Sequence, residues 1–302
     1  MKRIKRLVIV GGGTAGWITA SWFARRWSSH FEVVIIDKSQ PERIGVGEAT
    51  LLSFPNVMKM MGYKPTDWLR EVDATFKSGI LFPGWGHEDA EIWHPFSFTS
   101  VGDSKTPLYD IWQTYQEKYD LKDISPMYNS SLANRIETEY THDSYAFQID
   151  CGKLVKFLQK NTIPYLKEYI QSDVVDVIRD GQADDITCSS IKHLVLDDGE
   201  KIYGDLFIDC TGWKQMLIGK KNVDCSDRLF INSALAAKVE YENLGEQHPY
   251  TACPAQEHGW IWKIPTRSRI GTGYCFNKDI TDSDSKRQDV LLKLQQLYLL
   301  NQ

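Results

Sequence analysis

No apolar run in this chain of 302 residues approaches the roughly 20 residues that a membrane-crossing helix needs, so nothing in it argues for a membrane span. An excess of basic charge is also missing. Lys and Arg number 35 against 40 Asp and Glu, a net charge of −5, which gives no reason to expect nucleic acid or an anionic membrane as a partner. Cysteine is scattered: Cys151, Cys188, Cys210, Cys225, Cys253 and Cys275 form no C-x-x-C pair. No His/Cys cluster has metal-ligand spacing. No metal centre is therefore expected, and the cysteines read as thiols of a reducing, cytoplasmic compartment. Internal repeats and low-complexity linkers are absent too. The basic stretch Met1–Arg6 followed by apolar Leu7–Val10 imitates an export signal, but it runs straight into glycines, and a buried first strand fits better. Tryptophan, by contrast, is plentiful. Of ten, several lie beside Gly or Pro rather than on helical stripes. That placement suits a pocket for a flat aromatic ligand; filling of the core accounts for it equally well.

The most specific local pattern opens the chain. Arg6–Val10 reads as a strand buried on both faces, as in a parallel sheet. Gly11-Gly12-Gly13-Thr14-Ala15-Gly16 follows and matches G-x-G-x-x-G. Trp17–Arg26 reads as a helix, and Phe31–Ile36 as a second strand that ends at Asp37. In such a βαβ unit Gly11 permits the tight turn, Gly13 lets a phosphate approach the backbone, and Gly16 lets helix and strand pack closely. Thr14 and Ala15 open the helix whose free N–H groups face a pyrophosphate. Asp37, 21 residues past Gly16, stands where an acid accepts hydrogen bonds from adenosine ribose hydroxyls, with Lys38 beside it. An acid there disfavours the 2′-phosphate of NADP. The loop alone leaves NAD and FAD both open.

Further along, Ile44–Thr50 contains Gly45 and Gly47 in a non-periodic stretch and reads as a loop pressed against the cofactor, with Gly47, Glu48, Ala49 and Thr50 as contacts. Helices are expected around Phe54–Met61 and Thr66–Asp73. Ala74–Phe82 is strand-like, with a single Lys77 among apolar neighbours, before a turn at Pro83–Gly86. The polar and aromatic region 100–145 reads as helices and loops of an inserted substrate region. Tyr145–Asp150 precedes a helix expected from Lys153 to about Glu168. Val174–Ile178 and Ile191–Leu196 alternate as strands of a small sheet. Asp205–Trp213 reads as a buried strand ending in a small-residue turn at Thr211 and Gly212, and Leu291–Leu300 as a helix. A late strand returning to the nucleotide domain, as in two-dinucleotide-type flavoproteins, makes that domain discontinuous.

Gly259-Trp260-Ile261-Trp262-Lys263-Ile264-Pro265 matches W-x-W-x-I-P, and with it the sequence resembles the flavin-dependent halogenases of the tryptophan halogenase family. An edge strand bearing Trp and stopped by Pro is the alternative for that stretch alone. Other matches keep the family's order: Gly45–Thr50 with its G-V-G-E-A-T flavin loop, Phe76-Lys77 and Gly79-Ile80 with its catalytic-lysine segment, and His94-Pro95-Phe96 with a segment that lines the substrate pocket. Tyr145–Asp150 and Asp205–Gly212 match flavin-domain segments, and Gly271-Thr272-Gly273-Tyr274 matches a glycine/tyrosine turn. The resemblance covers roughly residues 5–277. It implies an α/β fold: an FAD-binding Rossmann-like, two-dinucleotide-type domain over 1–50 and 145–220, with a mixed α+β substrate and halogenation region over 51–144 and 221–302.

The resemblance also implies the chemistry. Reduced FAD, supplied by a separate flavin reductase, reacts with oxygen, and a halide ion is converted to hypohalous acid. Lys77 holds or reacts with that acid and delivers electrophilic halogen to an indole or phenol. A lysine suits the task because its ammonium donates hydrogen bonds and burial lowers its pKa toward a nucleophilic amine. His94, Pro95 and Phe96 shape the substrate pocket. Trp260, Trp262, Ile264 and Pro265 lie near the flavin and discourage ordinary monooxygenation. A snorkelling strand lysine and a satisfied structural histidine are the plainer readings of Lys77 and His94.

The chain end departs from the family's pattern. A Gly/Ala-rich segment with a Glu-Ser pair, which supplies the second catalytic carboxylate, is not found in the 37 residues after Pro265. A truncated chain is the expectation. The alternatives are a flavin monooxygenase of the same superfamily and a non-catalytic FAD-binding remnant. A homodimer stays open.

Overall fold

The structure, a computed structural model, describes residues 4–37, 48–96, 145–180, 189–218, 223–241 and 247–279. The expected helix Leu291–Leu300 and the region 100–144 lie outside them. The chain divides into two compact units. The first comprises Met1–Gly45, Val57–Val72 and Cys151–Asp224; the second comprises Val46–Asn56, Asp73–Asp150 and Cys225–Gln302.

The first unit is built on a parallel sheet. Strand β1 (Arg6–Val10) pairs in parallel with β2 (Glu32–Asp37), Val8 lying opposite Val34. Leu7–Val10 and Val33–Ile36 are at most 3% exposed, so both faces of these strands are covered, as parallel sheets require. Strand β12 (Leu206–Asp209) joins the other side of β1, Val8 opposite Phe207, and the order is completed beyond β2 by β8 (Glu168–Gln171). Asp205 holds the junction: its Oδ2 accepts the N–H groups of Lys5 and Arg6, each at 3.0 Å. A small antiparallel sheet of β9 (Val174–Asp180), β10 (Ser190–Leu196) and β11 (Lys201–Ile202) supplies Leu194, Leu196 and Ile202 to a core shared with Val8, Val10, Val34 and Ile36. By strand alternation Leu7, Ile9, Val33 and Ile35 point to the opposite face, the side of helix α1 (Thr14–Trp27) and of helix α4 (Cys151–Thr162), which packs against α1. Arg25 fastens that side. It donates to Met61 O (2.8 Å) and Asn161 O (2.9 Å) and stacks 4.3 Å over the Tyr63 ring.

Two expected helices are shorter than their sequence pattern. α4 begins at Cys151 and gives way to a 3₁₀ turn at Ile163–Tyr165. Pro164 has no N–H to continue the helix and disfavours helical backbone in the residue before it. The chain then leaves as β8, whose ladder with β2 sets Ile170 opposite Ile36. Thr66–Asp73 is helical only over α3 (Pro65–Trp68); turns carry the chain from there to Asp73, which sits in left-handed backbone at φ 61°. Helix α2 (Phe54–Met60) falls where expected.

The second unit contains two sheets. β3 (Glu48–Ala49), β7 (Ala146–Ile149) and β4 (Thr75–Lys77) form one, in antiparallel pairs. The other runs β13 (Ser233–Glu240), β17 (Arg269–Phe276), β16 (Gly259–Pro265), β14 (Thr251–Ala252), β5 (Gly79–Pro83), β6 (Glu91–Pro95), with β15 (Ala255–Gln256) also on β16. The single strand expected over Ala74–Phe82 is thus two, split at Ser78. Its N–H donates to Pro249 O and its carbonyl accepts from Phe96 N, both at 2.8 Å. No helix among the described residues is long and apolar enough to cross a membrane.

Gly271–Tyr274, expected as a turn, lies in the middle of β17. Gly273 stands directly opposite Trp262. A Cβ there would fall 2.2 Å from the indole of Trp262 and 2.4 Å from Leu235 O, so the glycine makes room for the tryptophan. Gly273→Ala is expected to destabilise the protein by about 1–3 kcal/mol through overpacking, read as a lower urea midpoint. An unchanged midpoint would show that the indole can move aside at no cost.

Candidate functional site

In the first unit an open cleft of about 360 Å³ lies between the first glycine loop and the loop after β12, bordered by Gly11, Gly13, Asp37, Thr211, Gly212 and Lys214. Gly11 (φ 114°) makes the turn out of β1, its N–H donating to Ile36 O at 2.8 Å. A Cβ on it would lie 2.1 Å from Cys210 O, and one on Gly16 would lie 1.8 Å from Gly11 O. These two positions are therefore closed to side chains by the protein itself. Gly13 is different: a Cβ there meets nothing within 4 Å. Gly13 also caps α1, with no side chain bonded to the helix end and no acid in its first turn. The N–H groups of Thr14, Ala15 and Gly16 in that first turn suit an anion.

Asp37 is 1% exposed. Its Oδ2 accepts from Trp17 Nε1 (3.1 Å) and Gln159 Nε2 (3.2 Å), whereas Oδ1 is buried without a partner. A buried acceptor left unpaired costs free energy, and a ribose hydroxyl would satisfy it. This orphan oxygen, the empty space over Gly13 and the uncapped helix end together fit the adenosine diphosphate part of FAD. Gly12 was no candidate on sequence grounds, yet a Cβ on it would fall 1.5 Å from Asp37 Oδ1. Only the three-dimensional meeting of loop and acid shows this.

The far wall of the cleft is a loop folded around one carboxylate. Asp209 Oδ1 accepts from Thr211 N (3.0 Å) and Thr211 Oγ1 (2.6 Å), and Oδ2 accepts from Leu217 N (2.8 Å) and Ile218 N (3.0 Å). Burial alone would raise the Asp209 carboxyl. The bonds from Thr211, Ile218 and Leu217 outweigh it and hold the group below the usual carboxylate range. A depressed native value stabilises the fold above the ordinary carboxylate pKa, and that contribution is lost as pH falls through the native value. Asp209→Asn is expected to flatten the acid limb of the stability–pH curve below the ordinary carboxylate pKa of 3.8, measured by urea midpoints. An unaltered acid limb would deny Asp209 this role.

In the second unit Lys77 ends β4 and is 5% exposed. Its Nζ donates to Thr50 O at 3.5 Å and lies 5.1 Å from the centroid of the Phe96 ring. Burial pulls the Lys77 ammonium below its ordinary pKa of 10.5. Cys253, whose thiol burial pushes up to about 11, is electrostatically coupled to it. Thr50 is fixed by two bonds to Phe147: its N–H donates to Phe147 O (2.7 Å) and its Oγ1 accepts from Phe147 N (2.9 Å). The structure thus brings Lys77, Thr50 and Phe96 together. His94 is exposed, with its ring edge-on to Phe96 at 5.9 Å, and Pro95 pairs with Gly79 through the backbone. Trp260, Trp262, Ile264 and Pro265 lie along β16, and the Thr75 hydroxyl on β4 donates to Pro265 O. Glu48 and Ala49 form β3, Glu48 exposed. Lys38 and Gly47 lie outside the described residues.

Comparison with known proteins decides what the two sites share. The tryptophan halogenase family model matches residues 6–301. The chain belongs to the tryptophan halogenase family. It is 30% identical to tryptophan 6-halogenase ThaL of Streptomyces albogriseolus over 93% of the chain and 57% of that protein. It is 31% identical to 7-chloro-L-tryptophan 6-halogenase KtzR of Kutzneria sp. over 90% of the chain and 58% of that protein. Among solved structures it resembles Xcc4156, a flavin-dependent halogenase from Xanthomonas campestris, with a TM-score of 0.84 and 29% identity over 96% of this chain and 59% of the other. This tryptophan halogenase family member therefore has the fold expected of it, and it spans under three-fifths of the length of the curated relatives it matches.

Proposed function

We propose that this chain carries the FAD-binding and lysine-bearing parts of a flavin-dependent halogenase that acts on an electron-rich aromatic, an indole or a phenol. The observation that carries the reading is Lys77: a buried lysine facing a carbonyl and an aromatic ring in a family member whose cleft suits a dinucleotide. Reduced FAD, from a separate flavin reductase, supplies when bound the two-electron chemistry that turns oxygen and halide into hypohalous acid. The loop Gly11–Gly13 and the first turn of α1 hold the diphosphate through backbone N–H groups, with Thr211 and Gly212 on the facing wall. Asp37 accepts a ribose hydroxyl at Oδ1. Glu48, Ala49 and Thr50 belong to the flavin loop, and Thr50 O anchors the ammonium of Lys77.

Two roles for Lys77 are chemically sound. As an ammonium it donates a hydrogen bond to hypohalous acid and polarises it. As a neutral amine, favoured by burial, it attacks the halogen: an N–halogen bond forms and water leaves, taking the acid's oxygen with the amine proton. The aromatic ring then takes the halogen and loses a proton, and the amine is restored. Phe96, with the ring of His94 edge-on to it, forms a wall for such a ring, while the Trp-bearing strand β16 disfavours oxygen transfer to the substrate.

The test supplies the chain with flavin reductase, FAD, NADH, oxygen and bromide together with a panel of indoles and phenols, and seeks the brominated mass. A brominated product supports the reading. Flavin binding with no product from any substrate overturns it for this chain, and a hydroxylated product points to a monooxygenase instead.

A further inference from the structure

Trp213 is 95% exposed. A side chain of that size left in water forgoes the stabilisation that burial of its apolar surface would bring, and its place in the fold indicates what covers it. Trp213 and Lys214 border the same cleft as Gly11, Gly13 and Asp37. They belong to a 3₁₀ turn, Gly212–Lys214, that opens on left-handed Gly212 (φ 62°) and is followed by left-handed Gln215 (φ 48°). Asp209 grips the loop on both sides of this turn, at Thr211 and at Leu217–Ile218, and Met216 N–H donates to Thr211 Oγ1 at 3.0 Å. Strained backbone held by four charge-assisted bonds gives Trp213 and Lys214 a fixed stem.

Charge decides the ligand. Among the described residues bordering the cleft, Lys214 is the one cation, against the acids Asp37 and Asp173. The glycine loop offers a phosphate backbone dipoles and no counter-charge. The acids suit sugar hydroxyls and repel any further phosphate placed on the ribose, while Lys214 can meet a diphosphate. A flat indole beside them suits a nucleobase.

We infer that the loop Thr211–Ile218 is a clip for the adenosine diphosphate moiety of the dinucleotide, in which Lys214 neutralises the diphosphate and Trp213 stacks on the base. This deepens the cofactor reading above and rests on it. ADP is the chemistry shared by FAD and NAD, so the arms of the test separate the sources.

The full chain is titrated at low salt with ADP, adenosine, FMN, FAD and NAD by calorimetry and by Trp fluorescence, in wild-type, Lys214→Ala, Trp213→Ala and Trp213→Phe proteins. Both side chains are exposed, so melting temperatures are expected to hold and any loss of affinity to be local. Lys214→Ala should weaken ADP and FAD roughly tenfold, as for a lost charge-assisted contact, and leave adenosine and FMN unaffected. Trp213→Ala should weaken ADP and adenosine alike. Trp213→Phe should keep most of the affinity and lose the fluorescence quench seen on ADP binding. FAD binding equally well to wild type and to both alanine variants overturns the clip and leaves the flavin reading standing. A wild-type chain that binds neither FAD nor ADP overturns both, and one that binds NAD in preference to FAD keeps the clip and overturns the flavin assignment.

Discussion

Lys77→Met is expected to remove the proposed halogenating turnover and at the same time to make the protein more stable. The two halves of this result have one cause. Lys77 is 5% exposed, and its ammonium is met by one long hydrogen bond to Thr50 O and by the face of Phe96. Among the described residues no carboxylate lies within ion-pair distance of it. Burying a charge with so little compensation costs more than the contacts return, and an apolar side chain of similar length removes the cost. The expected gain is about 1–3 kcal/mol near neutral pH, measured as a higher urea midpoint. Its pH dependence identifies the source. The native value of Lys77 lies below its ordinary 10.5, so between those two values the unfolded chain binds more protons and wild-type stability rises with pH. The Met variant lacks that rise, and the two curves converge toward high pH. Unchanged flavin binding, with bromination gone, would place the lysine at the chemical step. A Met variant less stable than wild type at pH 7 would mean that the ammonium has a partner that its surroundings do not reveal.

This trade explains why Lys77 was legible from the sequence and its setting was not. A lone lysine among apolar strand residues is a local anomaly, and Phe76-Lys77 with Gly79-Ile80 placed it in a family pattern. Thr50, Phe96 and Cys253 reach it from three other parts of the chain, and no spacing rule connects them. The parallel core was legible for a similar reason. Leu7–Val10 and Val33–Ile36 carry uninterrupted apolar runs, and such runs need cover on both faces. A helix end was misjudged where a single residue overrules a periodic pattern: Pro164 stops α4. Gly271–Tyr274 read as a turn because glycine is ambiguous alone. Its reason, the indole of Trp262 lying across Gly273, belongs to the neighbouring strand.

Asp73→Ala is the largest stability loss expected in the second unit, about 3–5 kcal/mol, because three donors lose their shared acceptor at roughly 1–3 kcal/mol for each one left buried and unpaired. Asp73 is 5% exposed, and its Oδ2 accepts from Thr266 Oγ1 (3.0 Å), Ser268 N (3.1 Å) and Ser268 Oγ (2.6 Å), while its carbonyl accepts from Arg267 N (2.9 Å). These four bonds hold the turn that joins β16 to β17, immediately after the W-x-W-x-I-P sequence. Two residues on, Thr75 bonds Pro265 O, and Lys77 follows on the same strand. One segment therefore grips the end of the Trp strand and presents the lysine, so a slip at Asp73 would be felt at both. Alanine removes the acceptor and also resists the left-handed backbone, at roughly 1–2 kcal/mol. Asparagine tolerates that backbone and keeps one acceptor oxygen, so Asp73→Asn should lose clearly less than Asp73→Ala. A double-mutant cycle with Ser268→Ala should show a coupling above about 1 kcal/mol, as for residues of one buried network. Strictly additive losses would show instead that the Ser268 hydroxyl has no share in the effect of Asp73.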